Sequence, residues 1–152
     1  QYDHETLQPV KARAYELPGL SASESADIVM LLMRIKKPSP EVVEAVEAAA
    51  AWFDRTKITG KKVETVSVPE GLEEDRKIKK DRILVDDPDA APIWPRYSEL
   101  SDNRPFFATR EGVKVYDLRE VPAERRVGYS WYGTWGGKVL KKYPEWHRKH
   151  GK

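Results

Sequence analysis

Cysteine is absent from the 152 residues. That excludes a disulfide framework and any thiolate metal site, and it leaves the redox compartment unreadable. An excess of charge is lacking as well: 27 Lys and Arg stand against 25 Asp and Glu, a formal net charge of only +2. A chain so nearly balanced does not bind nucleic acid by charge alone. No apolar run reaches signal-peptide or membrane-spanning length, so no membrane partner is expected. The start at Gln1, QYDHETLQP, reads as that of a mature or excised piece, in which any targeting segment is already gone. Histidine is scarce. His4, His147 and His150 lie near the two termini, and the HxxH spacing of the last two has no acidic or cysteine partner beside it. A solvated tail, not a metal site, is the expectation. A Gly-x-Ser-x-Gly elbow, a phosphate loop and a dinucleotide fingerprint are all missing.

What is present suffices for one modest core: 39% of the residues are apolar, and the length fits a single domain over residues 1–152. Through Leu20 the chain lacks periodicity and holds Pro9, Pro18 and Gly19, which reads as an extended lead-in. SASESADIVMLLMRIKK then offers Ser21 or Ser23 as a helix N-cap and Glu24 in the first turn. Ile28, Leu31, Leu32 and Ile35 follow at helical spacing, closed by Lys36 and Lys37. After KPSP, Ser39 and Pro40 start a second helix with Val42, Val46, Ala49, Ala50 and Phe53 on one face. The short link predicts an antiparallel pair whose apolar faces are broader than two helices can bury. Beyond Gly60, KKVETVSVP and RILVDD read as strands joined by the charged, solvated connection GLEEDRKIKKDR. Short strands are predicted near FFAT and VKVYDL, and helices near PAERRVGY and GGKVLKKYPEWHRKH. Asp86, Asp87 and Asp89 in VDDPDAAP raise the question of calcium, but they lack EF-hand spacing and read as a turn.

The stretches IWPRY and NRPFFATREG set Arg96, Arg104 and Arg110 among Trp94, Tyr97, Phe106 and Phe107. A surface loop has no need of so much aromatic area, and a core has no room for so many guanidinium groups. The mixture predicts a cleft for something flat-faced and anionic. Arginine offers paired donors that match a carboxylate in two parallel hydrogen bonds. Arg13, Arg125 and Arg126 also stand near aromatic or small residues outside the charge runs. For any one arginine, ion pairing with Glu16, Glu99, Glu111 or Glu124 is the alternative use.

Two runs, PVKARAYELPGLSASESADIVMLLM and WPRYSELSDNRPFFATREGVKVYDLREVPAERRVGYSWYGTW, resemble the C-terminal part of the family 10 pectate lyases, secreted bacterial enzymes that cleave polygalacturonate. The resemblance covers both ends of the chain and skips the charged middle. It rests on ARxYE, on the block running from RY through NRPxF to REGVxxYDL, and on ERRxGYxWYG, taken together. It implies a mainly α fold, a part of an (α/α) toroid-like lyase architecture with short β-strands. It also implies pectate lyase activity on polygalacturonate or oligogalacturonides by calcium-dependent β-elimination, in a secreted or periplasmic location. By motif position the resemblance carries the base over to Arg13 in ARAYE, and the substrate-carboxylate contacts to Arg96 in WPRY and Arg110 in ATREG. Tyr97, Arg104 and Tyr132 follow as further substrate-binding residues, although Arg104 could equally tie down its own loop. The family's calcium and substrate-binding aspartates belong to a helical region that would precede Gln1, so calcium ligands are expected outside this chain and an N-terminal segment is implied as a partner. Two other readings stay open: a catalytically inactive fragment that folds with that segment, and a pectate-binding module that keeps the arginine and aromatic groove.

Overall fold

The computed structural model describes residues 2–70 and 77–151. Residues 71–76, half of the charged connection, lie outside the described residues. Helix α1 (Ala22–Leu32) begins after Ser21, and α2 (Pro40–Thr56) begins after Ser39 with Pro40 in its first turn. Proline suits that position because the first amides of a helix have no intrahelical partner to lose. A short helix α3 (Ala123–Gly128) and the longer α4 (Trp135–His150) complete the helical part. Val43, Val46, Ala50 and Phe53 of α2 meet Val139 and Trp146 of α4 and Ala22, Ala26, Val29 and Met33 of the α1 region in one buried cluster. Gly136 makes the start of α4 possible, because a Cβ there would come within 2.6 Å of Phe53 and Trp94.

The apolar face of α1 is a different one from that expected. Its small residues Ala22 and Ala26 turn inward with Val29, while Ile28, Leu31 and Ile35 are exposed. Alanine lets the backbones approach, so the closer packing face wins over the bulkier one. The helix also ends at Leu32, short of Lys36 and Lys37.

The expectation of a mainly α fold, a piece of a helical toroid, is overturned. The chain is 37% helical and 22% strand, a mixed architecture with several antiparallel sheets. Strands β1 (Leu20–Ser21), β5 (Tyr97–Ser98), β6 (Pro105–Ala108) and β7 (Lys114–Val115) form one sheet in the order β1-β5-β6-β7. Strands β2 (Lys61–Ser67) and β3 (Lys80–Asp86) pair with each other, Lys61 opposite Asp86 and Ser67 opposite Lys80. Strands β4 (Trp94–Pro95) and β8 (Tyr132–Gly133) form the third pair. Two-residue strands carry no periodic signal; they form because distant segments offer each other free backbone donors and acceptors.

The aromatic residues of IWPRY and NRPFFATREG are core, not cleft lining. Trp94, Phe106 and Phe107 are essentially inaccessible, and Trp94 donates its indole N–H to the Phe53 carbonyl at 2.9 Å. Tyr97, Phe106, Phe107, Val121 and Trp131 make a second cluster beneath the four-stranded sheet. The VDDPDAAP stretch is a turn, as expected: Asp86 pairs with Lys61, Asp87 with Lys62, and the Asp87 carboxylate accepts from the Asp89 amide. The C-terminal histidines are less solitary than their spacing suggests, since Glu47 of α2 stands 3.0 Å from His147 and His150 packs on Trp146.

Candidate functional site

The ARAYE segment is a closed turn. Ala12 donates its amide to the Glu16 carbonyl and Glu16 donates to the Arg13 carbonyl, each at 3.0 Å, while the Glu16 carboxylate pairs with the Arg13 guanidinium. Three arginines from distant parts of the chain meet around this turn.

Arg96 arrives because β4 and β5 flank it. Its amide donates to the Trp131 carbonyl at 2.7 Å, and its carbonyl accepts from Ala22 at 3.1 Å, so three chain segments cross at one residue. Its guanidinium pairs with Glu24 at 2.5 Å and lies 5.3 Å from the Tyr129 ring centre and 5.5 Å from that of Trp135. Arg110 arrives on the turn between β6 and β7, where the Gly112 amide donates to Thr109. Gly112 has a φ of +86°, and a Cβ there would stand 2.1 Å from the Ala14 carbonyl oxygen. Only glycine allows both the backbone angle and the approach, and that approach sets Arg110 beside the ARAYE turn. Both its Nε and a terminal nitrogen bond Glu124, at 2.8 and 2.7 Å.

Aromatic rings bind the group together. Tyr15 and Tyr129 meet edge to face at 5.8 Å, and Tyr97 and Tyr129 share a hydroxyl contact of 2.7 Å. Burial, with the Tyr129 hydroxyl adding to it, pushes the Tyr97 phenol well above its ordinary range. Tyr97 also lines a small cleft of about 190 Å³ with Glu16, Ser21 and Glu24. The Arg13 hydrogen bond, with Arg96 pulling the same way, holds the Glu16 carboxyl below the usual carboxylate range. In turn Glu16 drives Arg13 upward. As it stands, the pair keeps Arg13 protonated, the opposite of the state a general base needs.

Arg104 and Tyr132 are not brought into this group. Arg104 lies in the turn between β5 and β6, its guanidinium 3.8 Å from the centre of the Tyr116 ring and its amide bonded to Asp102. Tyr132 packs against Phe107 and lines a larger cleft of about 590 Å³ with Asp117, Arg119 and Arg126. Burial pushes its phenol up to about 12. Sequence reasoning left Tyr15, Tyr129 and Glu24 out of the site. Tyr15 and Tyr129 stood inside the quoted ARAYE and ERRVGY motifs, whereas nothing near Glu24 marks it as the partner of a residue so far along the chain. Among the described residues no group of three or more His, Cys, Asp or Glu side chains could hold a metal ion. The chain therefore offers no calcium cage of its own there. No described helix is long and apolar enough to cross a membrane.

A family model described as pectic acid lyase matches residues 1–140. Two solved structures match 95% of this chain with a TM-score of 0.78 and 34% identity: a family 10 polysaccharide lyase from Cellvibrio cellulosa, and an aspartate-to-alanine mutant of that lyase in complex with trigalacturonic acid. This chain spans 42% of each of theirs. No curated protein matches it.

Proposed function

Because the chain belongs to the pectic acid lyase family, we propose that it supplies the arginine side of a pectate lyase site, cleaving polygalacturonate by calcium-dependent β-elimination. The observation that carries this reading is the convergence of Arg13, Arg96 and Arg110 on the ARAYE turn from three separate segments. A uronate polymer presents one carboxylate per sugar, and guanidinium groups grip carboxylates in pairs of hydrogen bonds. The mutant lyase whose structure holds trigalacturonic acid supports a substrate of this class.

In the proposed reaction Arg96 and Arg110 draw charge toward the uronate carboxylate, which acidifies the neighbouring C5 proton. A nitrogen of neutral Arg13 takes that proton, the electron pair forms the C4–C5 double bond, and the C4–O bond breaks with the leaving oxygen taking up a proton. Cations already held in place around a developing negative charge usually lower such a barrier more than any other single effect. For Arg13 to act, its pair with Glu16 has to open. Calcium, when bound, would withdraw further charge from the carboxylate, and its ligands have to come from carboxylates outside this chain's described residues. A polymer of plant cell walls is met outside the cell, so the enzyme is proposed to work in a secreted or periplasmic location.

The Arg13–Glu16 pair favours a second reading, a groove that binds pectate without eliminating it. The two are separated by mixing the chain with polygalacturonate and following the ultraviolet absorbance of the unsaturated product, with calcium and then with a chelator. The lyase reading expects a calcium-dependent rise that Arg13→Ala abolishes. Pectate binding that survives Arg13→Ala, with no rise in either protein, would assign the chain to binding alone.

A further inference from the structure

Arg125 is a buried cation with no carboxylate to answer it. It is 8% exposed, and its Nε and Nη2 meet no acceptor among the described residues. A buried polar group without a partner is destabilising, so a fold that retains one calls for an explanation. Glu124, next to it in the chain, gives both carboxylate oxygens to Arg110 instead. Rings surround Arg125 in place of acceptors: its Cζ lies 4.1 Å from the centre of Tyr15, 5.1 Å from that of Tyr129 and 5.9 Å from that of Trp131. Two of those rings are the ones on which the proposed reacting arginines rest. Arg13 stands 5.3 Å from the Tyr15 centre, and Arg96 stands 5.3 Å from the Tyr129 centre.

We propose that Arg125 is a positioning residue for the elimination. Its guanidinium fixes the Tyr15 and Tyr129 rings that carry Arg13 and Arg96, and its unanswered positive charge beside Arg13 favours the neutral form of that group. The use of this device rests on the lyase reading; the electrostatic effect on Arg13 does not. A like charge in a weakly screened site disfavours protonation, and one pKa unit changes the neutral fraction about tenfold. The other groups facing Arg13 are Glu16, which acts in the opposite sense and prevails while the pair is closed, and the Tyr15 and Tyr129 hydroxyls. The Arg110–Glu124 pair lies beyond Tyr15, and Arg96 acts on Glu16. Arg125 is thus the cation that takes over when Glu16 is drawn away.

Phenylglyoxal attacks the neutral guanidine, so its rate of addition at Arg13, mapped by mass spectrometry, reads this effect without turnover. Exposed Arg34 in the link after α1 serves as the internal reference. In Glu16→Gln, Arg13 is expected to react about tenfold faster than Arg34, one pKa unit's worth. Adding Arg125→Met removes that advantage, while adding Arg125→Lys, which restores the charge, returns it. Equal rates at Arg13 and Arg34 in Glu16→Gln overturn the proposal, and that comparison holds even if Arg125→Met does not fold. The same loss in the Lys and Met variants overturns it too, by reducing Arg125 to a packing role. A chain that forms no unsaturated product but shows the expected pattern loses the lyase reading alone. Where product forms, Arg125→Met moves the acid limb of the kcat profile to higher pH and leaves KM nearly unchanged; a change in KM alone counts against the proposal.

Discussion

Glu124 holds Arg110 through both donors of its fork, the geometry a uronate carboxylate would adopt. If Arg110 binds substrate, Glu124 is a competitor built into the protein. Glu124→Gln is then expected to tighten trigalacturonate binding by up to about fivefold, the worth of an exposed ion pair. Isothermal titration calorimetry checks this, and weaker binding would show that Glu124 instead aims Arg110 at its ligand. The ion-pair alternative drawn from the sequence fits Arg13 with Glu16 and Arg110 with Glu124. It misses Arg96, whose partner is Glu24, because only the pairing of β1 with β5 carries the first turn of α1 to that guanidinium.

Among the elements, the turn between β6 and β7 has the narrowest tolerance. Gly112 combines a left-handed backbone with contact against Ala14, so Gly112→Ala brings both a strained φ and a clash with the backbone that shapes the ARAYE turn. A loss of roughly 2–4 kcal/mol is expected from the two effects together. Urea denaturation measures it, and a loss under about 1 kcal/mol would mean that the turn and the Arg13 segment are not locked to each other. The β2–β3 hairpin was legible as two strands but not as a pair, since the charged connection between them gives no turn signal. In α1 the period was legible and the buried face was not. Ile28 and Leu31 remain exposed, because which side of a helix is covered depends on the neighbour that arrives.

For the molecule as a whole, the ion pair between Arg126 of α3 and Asp81 of β3 ties the hairpin to the second core, at 2.7 Å. Burial alone would raise the Asp81 carboxyl, but hydrogen bonds from Arg126 and from the Arg82 amide outweigh it, and the net direction is downward. A carboxyl held lower in the folded state stabilises the fold above its unfolded pKa, and that stability is lost as pH falls through the folded value. The urea midpoint is therefore expected to stay level near neutrality and to drop below the ordinary carboxylate range, about pH 4. Asp81→Asn should cost roughly 2–3 kcal/mol of stability at neutral pH and flatten the acid slope. An unchanged slope in that variant would assign acid unfolding to other carboxylates.

Composition and local pattern by themselves determined that this chain has no thiol chemistry, that helices start at Ser21 and Ser39, and that arginines and aromatics cluster in a family-specific set of motifs. These follow from residue chemistry and from near-neighbour spacing, which the chain carries along its length. Only the tertiary structure decided that Trp94, Phe106 and Phe107 are core while Tyr15 and Tyr129 carry the arginines, and that Arg104 and Tyr132 stand apart from them. Strands of two residues and a glycine pressed against a distant carbonyl make those choices. They depend on contacts between segments remote in the chain, which local periodicity does not record.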